Sequence, residues 1–392
     1  MKKMKIREKN HWLGFFAYFA MNLMYMYTNA YLPIYFEFVL SIDGSKLSLV
    51  LLVSYSFLFI KPVLALIIDK RDKTNRQVNA RLLLIISILG SFTSFLIFLL
   101  ENSLLPVFMV FLAINLAFIS VIDVVIDKII VQDDKTNEIK DKNIFFVQMG
   151  QIIGAIMPNV YYFILISDKT SFNSWTLFFI VGGCSIIPTL ILACLTKASI
   201  TIQSKNHASM PGIFSKKNIG LLCIFIFLSN SSQLYNWLLE PWAVAKLGPA
   251  SNLFSLFMIF FIVLNALGLI FAKKKAKDLD REKTLMMVVL ISGILLSFAP
   301  YLDIFLFMIA MSFLQFILGF YYINLTFLMI NTSRKEVLIF QIMSAFSIAA
   351  RVIFIPLGTF LSSMLSTEMI ITMVGTMHVI SVIPIYFLKK DE

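Results

Sequence analysis

Two sets of polar side chains recur at helical spacing inside otherwise apolar sequence. Ser229, Gln233, Asn236 and Glu240 fall at i, i+4, i+7 and i+11, flanked by Tyr235, Trp237 and Trp242, and Tyr18, Asn22, Tyr25 and Asn29 repeat that spacing near the N-terminus. Residues so placed share one helix face. Such a face offers amides, a carboxyl and aromatic rings, the chemistry needed to hold a small, flat, polar molecule. Its competing use is hydrogen bonding between packed helices, worth about 0.6 kcal/mol per contact. That use explains any single Asn or Gln more easily than two aligned sets. Gln148, Gln151 and Asn159, and then Gln315, Tyr322 and Asn324, extend the same kind of surface.

Charged residues within apolar sequence are fewer. Asp123 and Asp127 are four apart and share a helix face, next to Lys128, while Lys61 lies at a similar depth in another apolar stretch. A Lys61–Asp123 pair would serve either as a structural tie or as a site of proton or substrate coupling. Asp127, nearer the end of its stretch, is expected to meet a loop cation such as Arg71 or Arg76. Arg351 shares one side of a helix with Gln341, Ser344 and Ser347. Its guanidinium could fork onto the carboxylate of an anionic ligand, or neutralise Asp123. Glu37 reads as an ordinary interfacial carboxylate, whereas Glu240 continues the polar face.

The elements that must position these groups follow from hydropathy. About 20 consecutive apolar residues span a bilayer as a helix, and continuous rather than alternating apolar runs exclude a β-barrel. Twelve such spans are predicted, near Trp12–Phe36, Leu47–Ile68, Leu82–Leu100, Leu104–Val131, Ile144–Ile166, Trp175–Thr196, Asn218–Leu239, Leu253–Ala272, Thr284–Leu302, Ile304–Ile330, Val337–Leu361 and Met369–Leu388. The first is too long for the apolar core of a signal peptide and is expected to stay as an anchor. Together they predict an all-α polytopic membrane protein.

The net charge of +11 suggests nucleic acid until the charges are placed. With the N-terminus inside, 27 of the 33 Lys and Arg residues fall in cytoplasmic segments, 3 in the opposite loops and 3 within spans. That asymmetry orients the chain with both termini cytoplasmic and leaves no call for a nucleic-acid partner. Cys184, Cys194 and Cys223 all lie in spans and read as packing residues.

The loop 197–217 separates six spans from six, giving an N-terminal bundle over 1–196 and a C-terminal bundle over 218–392. The strongly basic loops 69–73 and 273–283 occupy matching positions in the two halves. A parallel six-plus-six repeat is the arrangement of major facilitator transporters, with substrate held at the bilayer midplane between the halves. No phosphate-binding Gly-x-x-x-x-Gly-Lys-Ser/Thr loop occurs, and His11, His207 and His378 show no metal spacing. Neither a cofactor nor an enzymatic activity is expected, and the chain reads as a monomer.

Phe59-Ile60-Lys61-Pro62, followed by Asp69, resembles the folate-biopterin transporter family of the major facilitator superfamily, which has an Ile/Leu-Lys-Pro and a loop aspartate here. The segment Ile122-Asp123-Val124-Val125-Ile126-Asp127-Lys128 is similar to that family's paired-aspartate fourth span. The likeness is best over spans 1 to 4. It departs at Val63-Leu64-Ala65-Leu66, where the family carries a glycine, and in the next loop, where a glycine and arginine cluster is thinned to Arg76 and Arg81. The resemblance implies import of folates or pteridines, coupled to protons, with Lys61, Asp123 and Asp127 at matched positions.

The expected function is therefore secondary transport of a small anionic aromatic solute by alternating access. The cavity is expected between spans 1, 4, 5, 7, 10 and 11, with Asp69, Arg71 and Arg76 in gating contacts. Asp123 or Glu240 would take the coupled proton, Arg351 would meet the anion, and Tyr25, Tyr235 and Trp237 would pack on the ring. An exporter of amphipathic compounds is the alternative, and a non-transporting membrane receptor or enzyme is the third reading.

Overall fold

The computed structural model describes residues 2–42, 44–64, 67, 80–95, 105–132, 137–166, 170–187, 216–248, 253–275, 280–333 and 337–388. Among these there is no strand. Where no water reaches the backbone, the helix satisfies each peptide group within its own segment, and this sequence supplies helix after helix.

The first half opens with α1 (Lys2–Met26), which runs without a break through a wider π turn (Tyr27–Tyr31), the short α2 (Leu32–Tyr35) and a second π turn (Phe36–Leu40). Pro33 has no N–H for the ladder, and the register shifts on either side of it. There follow α3 (Gly44–Ser56), extended by a 3-10 turn (Phe57–Phe59), then α4 (Ala80–Phe95), α5 (Leu105–Gln132), α6 (Asn137–Leu165) and α7 (Phe172–Cys184). The second half comprises α8 (Lys216–Ser229), α9 (Leu239–Leu247), α10 (Leu253–Lys275), α11 (Arg281–Phe298), α12 (Ile304–Ser333), α13 (Val337–Leu361) and α14 (Thr367–Tyr386). Short polar caps start several of them: Ser366 accepts from the Met369 amide at 3.3 Å and Asp280 from that of Lys283 at 3.4 Å.

Eight helices among the described residues are long and apolar enough to cross a bilayer, which makes this an integral, multi-pass membrane protein. Helical segments overlap each of the twelve predicted stretches.

One expectation is corrected. The polar face of span 7 is not a single straight helical stripe. Helix α8 stops at Ser229, a 3-10 turn occupies Ser231–Leu234, and α9 begins only at Leu239. The run Ser229-Asn230-Ser231-Ser232-Gln233 is rich in side chains that compete with the backbone for hydrogen bonds. The Asn230 amide, for example, donates to the Ile226 carbonyl at 2.7 Å. Such irregular backbone at membrane depth is tolerated where protein buries it or a cavity borders it.

The two halves pack alike. In the first, α1 lies on α6, α3 and α4 lie on α5, and α4 meets α7; in the second, α8 lies on α13, α10 and α11 lie on α12, and α11 meets α14. Contacts between halves also come in exchange-related pairs: α3 on α13 with α6 on α10, and α5 on α13 with α6 on α12. The short α2 touches α9 directly. Small residues permit the closest crossings. A β-carbon at Gly150 or Gly154 of α6 would overlap the main chain of Phe15 or Phe19 in α1, and one at Gly358 of α13 would overlap the Leu234 carbonyl.

Candidate functional site

A cavity of about 540 Å³ lies at the seam between the halves. From the first half, α1 contributes Tyr18, Asn22 and Tyr25, the π turn after it Asn29, the helical turn after Phe59 contributes Lys61, α5 gives Asp123, and α6 gives Gln148 and Gln151. From the second half come Ser229, Gln233, Tyr235, Asn236 and Glu240 of the broken segment, Gln315 and Tyr322 of α12, and Ser344, Ser347 and Arg351 of α13. Residues singled out on seven separate stretches of sequence thus line one cavity. The broken segment still turns Ser229, Gln233, Asn236 and Glu240 into the cavity, although no continuous helix aligns them.

Asp123 and Lys61 anchor one end. The Lys61 ammonium lies 2.5 Å from the Asp123 carboxylate and donates to the Ser344 hydroxyl of α13 at 2.8 Å. The Tyr18 hydroxyl donates to the other carboxylate oxygen. Asp123 therefore receives from two helices, and the pair is tied across the seam to a third. Asp127 sits one turn further along α5, and its side chain lies outside the described residues, as do Asp69, Arg71 and Arg76.

Arg351 makes no ion-pair contact with Asp123, although it lies within electrostatic reach of that carboxylate. Its guanidinium lies 4.9 Å from the centroid of the Tyr25 ring, and among the described residues no carboxylate is within ion-pair distance of it. Glu240 is 6% exposed, and its Oε2 has no hydrogen-bond partner. No described cation reaches it either.

The other end of the cavity is closed by groups that the sequence did not single out together. The Tyr55 hydroxyl donates to the Asn29 side-chain oxygen and accepts from the Trp237 indole N–H at 3.3 Å. Phe36 stacks on Trp237 with ring centroids 6.1 Å apart. Trp237, expected to pack on a ligand ring, is instead buried in this closure and does not line the cavity. Tyr55 lies between Ser54 and Ser56 in an apolar run and carried no helical-spacing signal.

Several amides make packing bonds, as the competing reading allows. Asn22 donates to the Gln151 carbonyl, and Asn29 donates to the Tyr25 carbonyl at 3.0 Å. Asn159 accepts from the Tyr31 hydroxyl at 2.5 Å, and Asn324 donates to the Phe320 carbonyl at 2.8 Å. Asn159, Asn324 and Gln341 are buried away from the cavity. Glu37 is exposed, as an interfacial carboxylate should be. His378 and Asn265 line the wall without having been expected there. Both His378 ring nitrogens lack hydrogen bonds of good geometry, although the Ser229 carbonyl borders the ring.

What the arrangement can do chemically is bind. It presents a guanidinium with a fork to offer, a carboxyl, amides and five tyrosine rings in a space large enough for a small organic molecule. The chain matches no protein-family model and no curated protein.

Proposed function

We propose that this membrane protein is a secondary transporter that moves a small organic anion by alternating access, in the manner of the major facilitator superfamily. In this reading the chain crosses the bilayer twelve times with both termini in the cytoplasm. The observation that carries the proposal is a cavity at the seam, polar on both walls, with the Arg351 guanidinium available to a carboxylate. The exchange-related packing of the halves supports it, because two bundles that contact each other symmetrically can rock about a site held between them.

The lining also supports an inward-facing state. From α13 it includes Phe340 to Arg351 and nothing from the last ten residues, while Phe36, Tyr55 and Trp237 close the other end. Asp123 and Glu240 are the candidates for the coupled proton. A folate or pteridine as cargo rests on the likeness around Lys61 and Asp123. Flat rings suit Tyr25, Tyr235 and Tyr322.

Export of amphipathic compounds is the second reading, favoured by Met258, Phe261, Met311, Met329 and Phe340 in the wall, since methionine-rich surfaces re-pack around varied ligands. A thermal-shift panel of folate, pterins, sugars and lipophilic cations separates the two, because a ligand of the native state raises its stability. Stabilisation by folate or pterins is expected; stabilisation by unrelated lipophilic cations instead would favour the exporter. Flux measured beside binding in the same vesicles distinguishes both from a receptor or an enzyme.

A further inference from the structure

The cavity holds two pairs of opposite charges, and only one pair is joined. Lys61 and Asp123 neutralise each other at 2.5 Å. Arg351 and Glu240 are in ion-pair contact neither with each other nor with any other described residue. Both line the cavity, and both lie within electrostatic reach of the Tyr55 hydroxyl, which places them around one region of it. A polar group buried without a partner costs about 1–3 kcal/mol, so a wall that leaves the Glu240 carboxyl partnerless and the Arg351 guanidinium out of ion-pair contact is built to receive partners from outside.

The surroundings of each group fit that role. The Tyr25 ring covers a face of the guanidinium and leaves its N–H edge to a planar acid. Glu240 occupies the first turn of α9, where the helix dipole favours negative charge, and keeps an oxygen without a partner although it is 94% buried. Tyr235 and Tyr322 stand in the same wall, and Tyr322 retains 42% of its surface open. The tyrosines supply ring surface for whatever joins the two ends of the ligand.

We propose that the ligand is a small aromatic zwitterion, its carboxylate received by Arg351 and its cationic nitrogen by Glu240. This rests on the transporter reading and narrows its cargo from an anion to a molecule carrying both charges. Glu240 then acts as a specificity residue, because a ligand lacking the cation would leave the carboxyl buried without a counterion.

The test is equilibrium binding to the full-length protein in lipid nanodiscs at neutral pH, using two matched sets of probes. One set is tryptophan, indole-3-propionate and tryptamine; the other is phenylalanine, 3-phenylpropionate and phenethylamine. In at least one set the zwitterion should bind about tenfold or more tighter than either truncated relative, the scale of one desolvated charge pair. Glu240→Gln should abolish that preference, bringing binding of the zwitterion down to that of the propionate. Glu240→Asp, which keeps the charge, should keep part of the preference and guards against a misfolded Gln variant. Equal binding of propionate and zwitterion, to wild type and Glu240→Gln alike, would overturn the zwitterion proposal and leave the anion transporter standing. No binding by any of the six would also overturn the zwitterion proposal, and folate or pterin binding by the same sample would keep the anion transporter standing.

Discussion

Lys61 and Ser344 join the first and second halves of the chain by a hydrogen bond of 2.8 Å, made by the same ammonium that holds Asp123. Closure of the seam and neutralisation of a membrane carboxylate thus depend on one side chain. Any motion that parts α13 from the Lys61 turn strips a ligand from that ammonium and weakens its screening of Asp123.

Lys61→Met should therefore destabilise the protein by about 2–4 kcal/mol. That is at or below the 3–5 kcal/mol typical of breaking a buried pair, because Asp123 keeps 25% of its side chain open. Adding Asp123→Asn should recover much of the loss. Thermal melting of the three proteins in one detergent measures both effects, and a double variant no better than the single one would contradict the pairing argument.

Gly154→Leu should abolish folded protein, since even a β-carbon would overlap the Phe19 main chain at the α1–α6 crossing. Gly220→Ala is the control, with nothing within 4 Å of the added atom. Size-exclusion profiles of the two variants should differ, with a monodisperse peak only for the alanine.

Tyr55→Phe removes the hydroxyl that links Asn29 of one half to Trp237 of the other. The cost to stability should be small, about 1 kcal/mol for each lost hydrogen bond. Opening of the closed end should rise. In a cysteine-free background, Ser232→Cys should react about fivefold faster with an impermeant thiol reagent applied from that side, as a shift of about 1 kcal/mol implies.

Much of this site was legible because burial of a polar group in lipid is expensive whatever the fold, so Asn22, Gln151, Gln233, Arg351 and their neighbours could be picked out before any helix was placed. The Lys61–Asp123 pair was legible for the same reason: each charge needed a partner at its own depth. The break between Ser229 and Leu239 was not, because periodicity counting presumes a continuous helix and cannot see side chains capturing backbone groups. Tyr55, within Ser54-Tyr55-Ser56, and His378 escaped because short polar clusters and single polar residues in apolar runs look like ordinary packing. Asn159 and Asn324, chosen by the same logic as Gln151 and Gln315, proved to be interhelical or local bonding groups, since composition does not tell which side of a helix faces a neighbour.

Arg351→Lys keeps the charge but loses the planar fork. It should weaken anion binding about tenfold, and Arg351→Ala should weaken it more, with melting temperatures little changed because no described carboxylate is in ion-pair contact with the guanidinium. Titration of the stabilising ligand against all three proteins measures the order. A lysine variant equal to wild type would show that charge, not geometry, is what the site reads.

The most direct test of the central claim is uptake of radiolabelled folate or pterin into proteoliposomes under an imposed, outside-acid pH gradient, with wild type beside Arg351→Ala. Accumulation above empty vesicles that collapses with the gradient and falls at least about tenfold in the variant is the predicted result. Flux indistinguishable from empty vesicles for every ligand that stabilises the protein, or flux untouched by loss of Arg351, would contradict it.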